Sequence, residues 1–163
     1  MSLFEQPGYQ WRETYFVLFD QDKRPSADQL QSALSAMNSR WQFEDLRAGE
    51  DGLFESLTLI SPEDFAAMDI TCVAGEEVRE QIPALVDELK PNLDTSEEKA
   101  HLPTIENASA RMDVFHFEQQ GMVFNEEDAE MEMMDPGGLL LVLDRLAELS
   151  GGIVVDPQTS SLM

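Results

Sequence analysis

Thr14-Tyr-Phe-Val-Leu-Phe19, followed by the polar turn Asp20-Gln-Asp-Lys-Arg-Pro25, begins the first strand–helix unit of the chain. A continuous run of β-branched and aromatic residues predicts a strand that is buried on both faces. Ser26 has the side chain of a helix N-cap, and Gln29 stands three residues later, which completes a capping box. Because apolar residues follow at helical spacing, residues 27–38 are predicted to form an amphipathic helix.

The same two kinds of pattern recur along the rest of the chain. Further strands are predicted at 41–47, 53–60, 69–74, 111–118 and 153–155. Asp51-Gly52 indicates a tight hairpin turn between the first two of them. Further helices are predicted at 76–90, where Pro83 favours a kink or a later start, and at 136–150, with Asp135 as the cap and Gly151 as the stop. Residues 91–109 and 119–135 are predicted to be long polar loops, and residues 157–163 a loose tail.

This order of elements favours an α+β fold. A chain of 163 residues suits a single domain, here covering 1–163. Strand–helix–strand units combined with a tight hairpin predict a two-layer sandwich, in which three helices pack on a mixed sheet of about six strands. A ferredoxin-like arrangement of two interleaved halves fits that order.

Net charge limits the partners of the protein. The sequence has 33 acidic and 10 basic residues, a formal charge of −23, and 42% of its residues are apolar. Such a charge disfavours direct binding to nucleic acid and to anionic membranes, since both rely on lysine and arginine. An acid excess of this kind serves as a solubility device, or it marks a protein that binds a basic protein partner. The oligomeric state is left open.

Several classes of protein are excluded or disfavoured. Cys72 is the single cysteine, which rules out an internal disulfide framework and a four-cysteine zinc site. No stretch approaches the length of a membrane span, and the first residues lack the pattern of a signal peptide, so a cytoplasmic location is expected. No phosphate-binding glycine loop or other cofactor motif is present, and no cofactor is predicted.

The acidic run at 126–135 is the most unusual segment, since six of its ten residues are acids. One interpretation is a solvated loop whose methionines contact a partner. The residues predicted to bind a partner are Glu126, Glu127, Asp128, Glu130, Met131, Glu132, Met133 and Met134. Carboxylates also suit a hard cation, although the spacing of a calcium-binding loop is absent. The residues considered for a metal are Asp20, Asp22, Glu118 and Asp135.

No catalytic residue is assigned. His116, within a predicted strand, has the chemistry of a general base if a carboxylate orients it. However, no motif connects it to a nucleophile, and a lone strand histidine is more often structural. Cys72 falls in a predicted buried strand, where its thiol is expected to be inert with a high pKa.

Two stretches resemble segments of a family of small acidic bacterial proteins with no known activity. They are Phe54-Glu-Ser-Leu-Thr-Leu-Ile-Ser-Pro62 with the following Met68-Asp-Ile-Thr71, and Leu149-Ser-Gly-Gly-Ile-Val-Val-Asp-Pro-Gln158. The resemblance implies a bacterial cytoplasmic protein and nothing about mechanism.

Three functional hypotheses follow in order of preference. The first is a non-catalytic protein-interaction module. The second is an acidic inhibitor or immunity-type protein that binds a basic target. The third is an enzyme that uses carboxylates with a divalent metal.

Overall fold

The computed structural model describes residues 9–62, 66–119 and 138–162. The strands in this part of the chain are β1 (Tyr9–Phe19), β2 (Gln42–Ala48), β3 (Phe54–Ser61), β4 (Ala66–Ala74), β5 (Ala110–Gln119), β6 (Ile153–Asp156) and β7 (Ser161–Leu162). The α-helices are α1 (Ala27–Met37), α2 (Glu76–Leu89), α3 (Ser96–Ala100), α4 (Leu102–Glu106) and α5 (Leu139–Ser150). These elements confirm an α+β fold.

The opening helix forms as predicted, and the strand before it begins at Tyr9, five residues earlier than predicted. Val17, Leu18 and Phe19 are all at most 1% exposed, which confirms burial on both faces for the end of the strand, whereas residues 14–16 are only partly buried. At the start of α1, Ser26 Oγ accepts a hydrogen bond from the Gln29 backbone N–H, and Gln29 Oε1 accepts one from the Ser26 N–H, each at 3.1 Å. The two bonds satisfy donors that a helix start otherwise leaves without partners.

The hairpin between β2 and β3 also forms as predicted. Gly52 has a φ of +79°, a conformation that glycine adopts without steric cost. Asp51 Oδ1 accepts a hydrogen bond from the Leu53 N–H at 3.0 Å and so holds the turn.

The sheet is open, with the strand order β2-β3-β4-β5-β1-β6-β7, and every pair of neighbours in the described chain is antiparallel. The predicted mixed sheet is therefore wrong. The described residues contain seven strands and five α-helices, where about six strands and three helices were predicted. Strand–helix–strand units suggest parallel neighbours. Here β4 and β5, joined through α2, are neighbours but antiparallel, and the strands joined by the other two long helices are not neighbours. β5 and β6 point the same way with β1 between them, and β1 and β2 point the same way with three strands between them.

Helices cover both faces of the sheet, so the predicted two-layer sandwich is also wrong. Side chains of a strand alternate between the two faces. Val17 and Phe19 pack with α1 and α5. Leu18 packs on the opposite face with α2 and with Ile105 of α4. Because β1 is apolar on both sides, each face needs its own cover.

Three further expectations need correction. Residues 91–109 contain α3 and α4 instead of one polar loop. Two apolar side chains of this stretch, Leu93 and Ile105, are buried, with 4% and 0% exposure, so the stretch packs against the rest of the protein. The predicted loose tail contains β7, which pairs with Val155 and Asp156 of β6. α2 begins at Glu76 and continues through Pro83, so the later start is wrong. Of the predicted loop 119–135, only residue 119 lies within the described chain.

α5 begins at Leu139, three residues after the predicted start. Its N-cap is Gly138, with a φ of +81°. A Cβ atom at Gly138 would lie 2.8 Å from Cζ2 of Trp41, so the helix start and the indole ring require glycine here. The predicted cap, Asp135, lies outside the described residues.

No helix in the described ranges is long and apolar enough to cross a membrane.

Candidate functional site

Two carboxylates lie on the central strands, on the face that α2 and α4 partly cover. Asp69 of β4 and Asp113 of β5 are 7% and 9% exposed. Asp69 pairs with Phe115 across the ladder, so Asp113 is its diagonal neighbour, about 7–8 Å away between Cα atoms. Thr58 Oγ1 donates a hydrogen bond to Asp69 Oδ1 at 2.6 Å. Paired carboxylates are a common acid–base device, which makes their other contacts important.

Asp113 is held by Arg111, whose Nε lies 2.6 Å from Asp113 Oδ1. The same guanidinium donates to Gln81 Oε1 and stacks 4.7 Å from the centroid of the Phe16 ring. Burial raises the pKa of the Asp113 carboxyl, Arg111 lowers it, and Glu77 adds a small rise. Each buried carboxylate is thus already bound to a protein group, which favours a structural role over catalysis.

His116 and Glu13 form a second polar pair on the opposite face. His116 Nδ1 lies 3.2 Å from Glu13 Oε1, within hydrogen-bond distance. The other ring nitrogen, Nε2, is buried and has no hydrogen-bond partner among the described residues. His116 is 7% exposed and lies opposite Met68 of β4. This is the carboxylate-oriented imidazole considered from the sequence, but its second nitrogen faces no solvent.

Replacing His116 with leucine is expected to change the free energy of unfolding by no more than about 1 kcal/mol. The substitution removes a buried ring nitrogen that has no hydrogen-bond partner in the described ranges, and Glu13, 27% exposed at its side chain, keeps access to water. Urea denaturation measures the change. Met112→Ala, in the fully buried core of the same strand, is the control that should cost about 2–5 kcal/mol. A loss above 2 kcal/mol for the leucine variant would show that the imidazole is a structural anchor.

Tyr15 and Cys72 both have a pKa above the usual range. For the Tyr15 hydroxyl the main cause is burial, followed by the charges of Glu13 and Asp156. Burial also raises the pKa of the Cys72 thiol, against a lowering effect of Arg24. The high thiol pKa agrees with the expected inert cysteine.

The residues considered for a metal do not all meet. Asp20 Oδ1 accepts a hydrogen bond from the Asp22 N–H at 2.9 Å and caps a short 3-10 helix. Glu118 Oε2 accepts one from Arg12 Nη1 at 2.9 Å. Glu118 pairs with Gln10 at the start of β1, whereas Asp20 follows its end, so about 30 Å of strand separates them.

Asp135, the fourth residue considered for a metal, lies outside the described residues. Within the described ranges, no three His, Cys, Asp or Glu side chains cluster closely enough to hold a metal ion. The predicted partner-binding residues at 126–134 also lie outside those ranges.

One edge of β1 is only partly paired in the described chain. β5 pairs with β1 from Tyr9 to Phe19, with a bulge at Arg12, but β6 pairs only with Phe16, Val17 and Leu18. On that side no strand in the described chain pairs with residues 11–15, which we call the open edge of β1. Trp11 lies on it and is 45% exposed. Strand edges with exposed aromatic side chains are sites where another chain can bind.

Apolar side chains are exposed on α5 as well. Leu140 and Leu141 are adjacent on its outer face and are 48% and 57% exposed. They follow the acidic run 126–135 in the sequence. They form an apolar surface of their own, separate from Trp11.

Sequence reasoning missed Asp69, Asp113, Glu13 and Trp11. A signal for the first two was present, because Met68-Asp69-Ile70 and Met112-Asp113-Val114 repeat one pattern. Ile70 pairs with Val114 across the antiparallel ladder. A local two-fold axis between these two residues therefore relates the two tripeptides and places Asp69 and Asp113 at equivalent positions. No comparable signal joins Glu13 to His116, which are 103 residues apart in the chain.

Comparison with known proteins adds no relative: no family model, no curated protein and no solved structure matches this chain.

Proposed function

We propose that this protein is a non-catalytic, cytoplasmic interaction module of bacterial type, and that its partner is a protein with a basic surface. The open edge of β1, with Trp11 exposed on it, is the observation that carries the proposal. Aromatic side chains are enriched where proteins bind one another, because they bury a large area at a small entropic cost.

Charge supports a basic partner. The chain has a formal charge of −23, and nine acids against three bases lie between residues 76 and 106, on α2, α3 and α4 and the turns between them. A protein with this field attracts basic proteins and speeds their approach. An inhibitor of a basic target would bind in the same way, and only the activity of the partner would distinguish it.

Affinity capture of partners on the immobilised protein tests the proposal. A specific partner should be retained at about 50 mM salt and bind at least about tenfold more weakly at 500 mM, since salt screens exposed charges. Trp11→Ala should weaken retention, whereas Trp11→Phe should preserve most of it. The proposal fails if no protein is retained at low salt, or if the alanine variant retains the same proteins equally.

For the fold we also propose a ferredoxin-like element. β5 and β6 flank β1 and lie before and after α5 in the chain, and this split strand–helix–strand arrangement supports the likeness.

A further inference from the structure

The open edge of β1 offers at least one backbone donor that points away from β5. In an antiparallel ladder, a residue directs its N–H and C=O groups to the same neighbouring strand. The Thr14 N–H donates to Oε1 of Gln158 at 3.0 Å, which shows its direction. Gln158 lies just beyond β6, where that strand has stopped pairing with β1.

The side-chain amide of Gln158 takes the place of a strand at this position. Its oxygen accepts from Thr14 as the carbonyl of a neighbouring strand would. Gln158 is itself held by Asp156, whose Oδ1 accepts from the Gln158 side-chain Nε2 at 2.6 Å and from the Gln158 backbone N–H at 2.9 Å. One side chain therefore satisfies a donor that an added strand would otherwise bind.

Trp11 is fixed along the same edge. Its Nε1 donates to Thr14 Oγ1 at 3.0 Å, and its ring stays 45% exposed. The charged side chains nearby are Arg12 and Glu118, which pair with each other, and Glu13, which pairs with His116. Glu118 belongs to β5, on the other side of β1. Along the open edge, among the described side chains, Glu13 and Asp156, whose carboxylate holds Gln158, stand against Arg12 alone, so an added strand is favoured if it carries lysine or arginine.

We infer that an extended segment of the basic partner adds to the sheet along residues 11–15 of β1 and displaces the side chain of Gln158. The inference rests on the proposed function and specifies how the partner binds. Backbone hydrogen bonds would give the affinity, and Trp11 would contact alternate side chains of the segment. A second copy of this chain is disfavoured as the occupant, because it would bring a charge of −23 against another −23.

The test uses a library of synthetic peptides of about ten residues that alternate Lys or Arg with Val, Ile or Thr. Binding is followed by NMR on the amides of residues 11–15. We expect binders that shift these amides, and we expect N-methylation of alternate peptide residues to abolish binding, since it removes one edge of donors. A scrambled peptide of equal charge controls for simple electrostatic attraction.

Two variants refine the test. Gln158→Ala should bind the peptides about fivefold more tightly, because it removes the hydrogen bond that the segment must displace. Asn107→Ala is the matched control, since Asn107 Nδ2 donates to the backbone oxygen of Pro103 at 2.8 Å, an amide hydrogen bond that involves neither β1 nor the turn at 157–160. It should bind the peptides like the unaltered protein.

The outcomes separate the two proposals. If N-methylated and unmethylated peptides bind alike, or if the shifted amides lie elsewhere, strand addition is wrong, although a basic partner remains supported. If no peptide in the library binds, strand addition is equally overturned. If affinity capture also retains nothing at low salt, the proposed function fails with it.

Discussion

Replacing Arg111 with methionine is expected to lower the free energy of unfolding by about 3 kcal/mol at neutral pH, because it leaves a buried carboxylate without its counter-charge. The guanidinium and the Asp113 carboxylate are only 19% and 13% exposed, and their shortest distance is 2.6 Å. The substitution also removes the stacking on Phe16 and the hydrogen bond to Gln81. Chemical denaturation at pH 7 measures the loss.

The pH dependence of this loss identifies its cause. Burial already raises the pKa of Asp113 above its ordinary value, so the folded state holds this proton more tightly than the unfolded state. The carboxyl therefore favours folding most below the unfolded pKa, and that contribution is lost as the pH rises through the folded pKa. Without Arg111 the pKa rises further, so the deficit of the variant should shrink as the pH is lowered towards 4. A deficit that is constant with pH would point to lost packing instead.

A double variant provides the control for Arg111→Met. Changing Asp113 to leucine in the same protein removes the carboxylate that was left unpaired, and apolar replacement of a buried ion pair is often neutral. Most of the lost stability should return in Arg111→Met/Asp113→Leu. If the double variant is as unstable as the single one, the pair is not the origin of the effect.

The sequence predicted local elements well and their assembly less well. The capping box at Ser26 and the turn at Asp51-Gly52 depend on neighbouring residues, which a local pattern contains. The sheet depends on which strands become neighbours. β5 and β6 flank β1 although most of the chain separates β1 from both, and no local pattern reports that pairing.

The apolar run of the opening strand already indicates that the sheet needs a layer of helices on each face. Val17, Leu18 and Phe19 form a continuous apolar run, which indicates burial on both faces and therefore cover on both faces. The helix at 76–89 and the buried Ile105 supply the second cover. Pro103 and the charged residues around it gave 91–109 the pattern of a loop, because a five-residue helix is too short for a periodic signal.

The candidate site was predictable only in part. His116 was recognised from its residue type, but the partner that orients it, Glu13, is brought near by strand pairing. The open edge of β1 results from the early end of pairing with β6, which depends on the turn around Gln158. Exposure of Trp11 follows from that geometry, and a sequence pattern does not record it.

Phe19→Ala is expected to have the largest effect on stability, a loss of about 3–5 kcal/mol. Phe19 is fully buried at the end of β1, in the cluster that includes Leu30 and Leu34 of α1. Removing its ring leaves a cavity between the strand and the helix, and a close-packed core fills such a cavity only in part. Thermal and urea unfolding both report the change.

Trp11→Ala is the matched control, since it removes a larger aromatic ring from the same strand. Trp11 is 45% exposed, so its loss should cost less than about 1 kcal/mol, within the range of ordinary surface substitutions or slightly above it. The contrast separates burial from strand propensity, because both residues occupy β1 and both are aromatic. If the two variants lost similar stability, Trp11 would be a packing residue, and weaker partner binding by Trp11→Ala would then reflect unfolding. If only Phe19→Ala is unstable, a binding defect of Trp11→Ala belongs to the open edge itself.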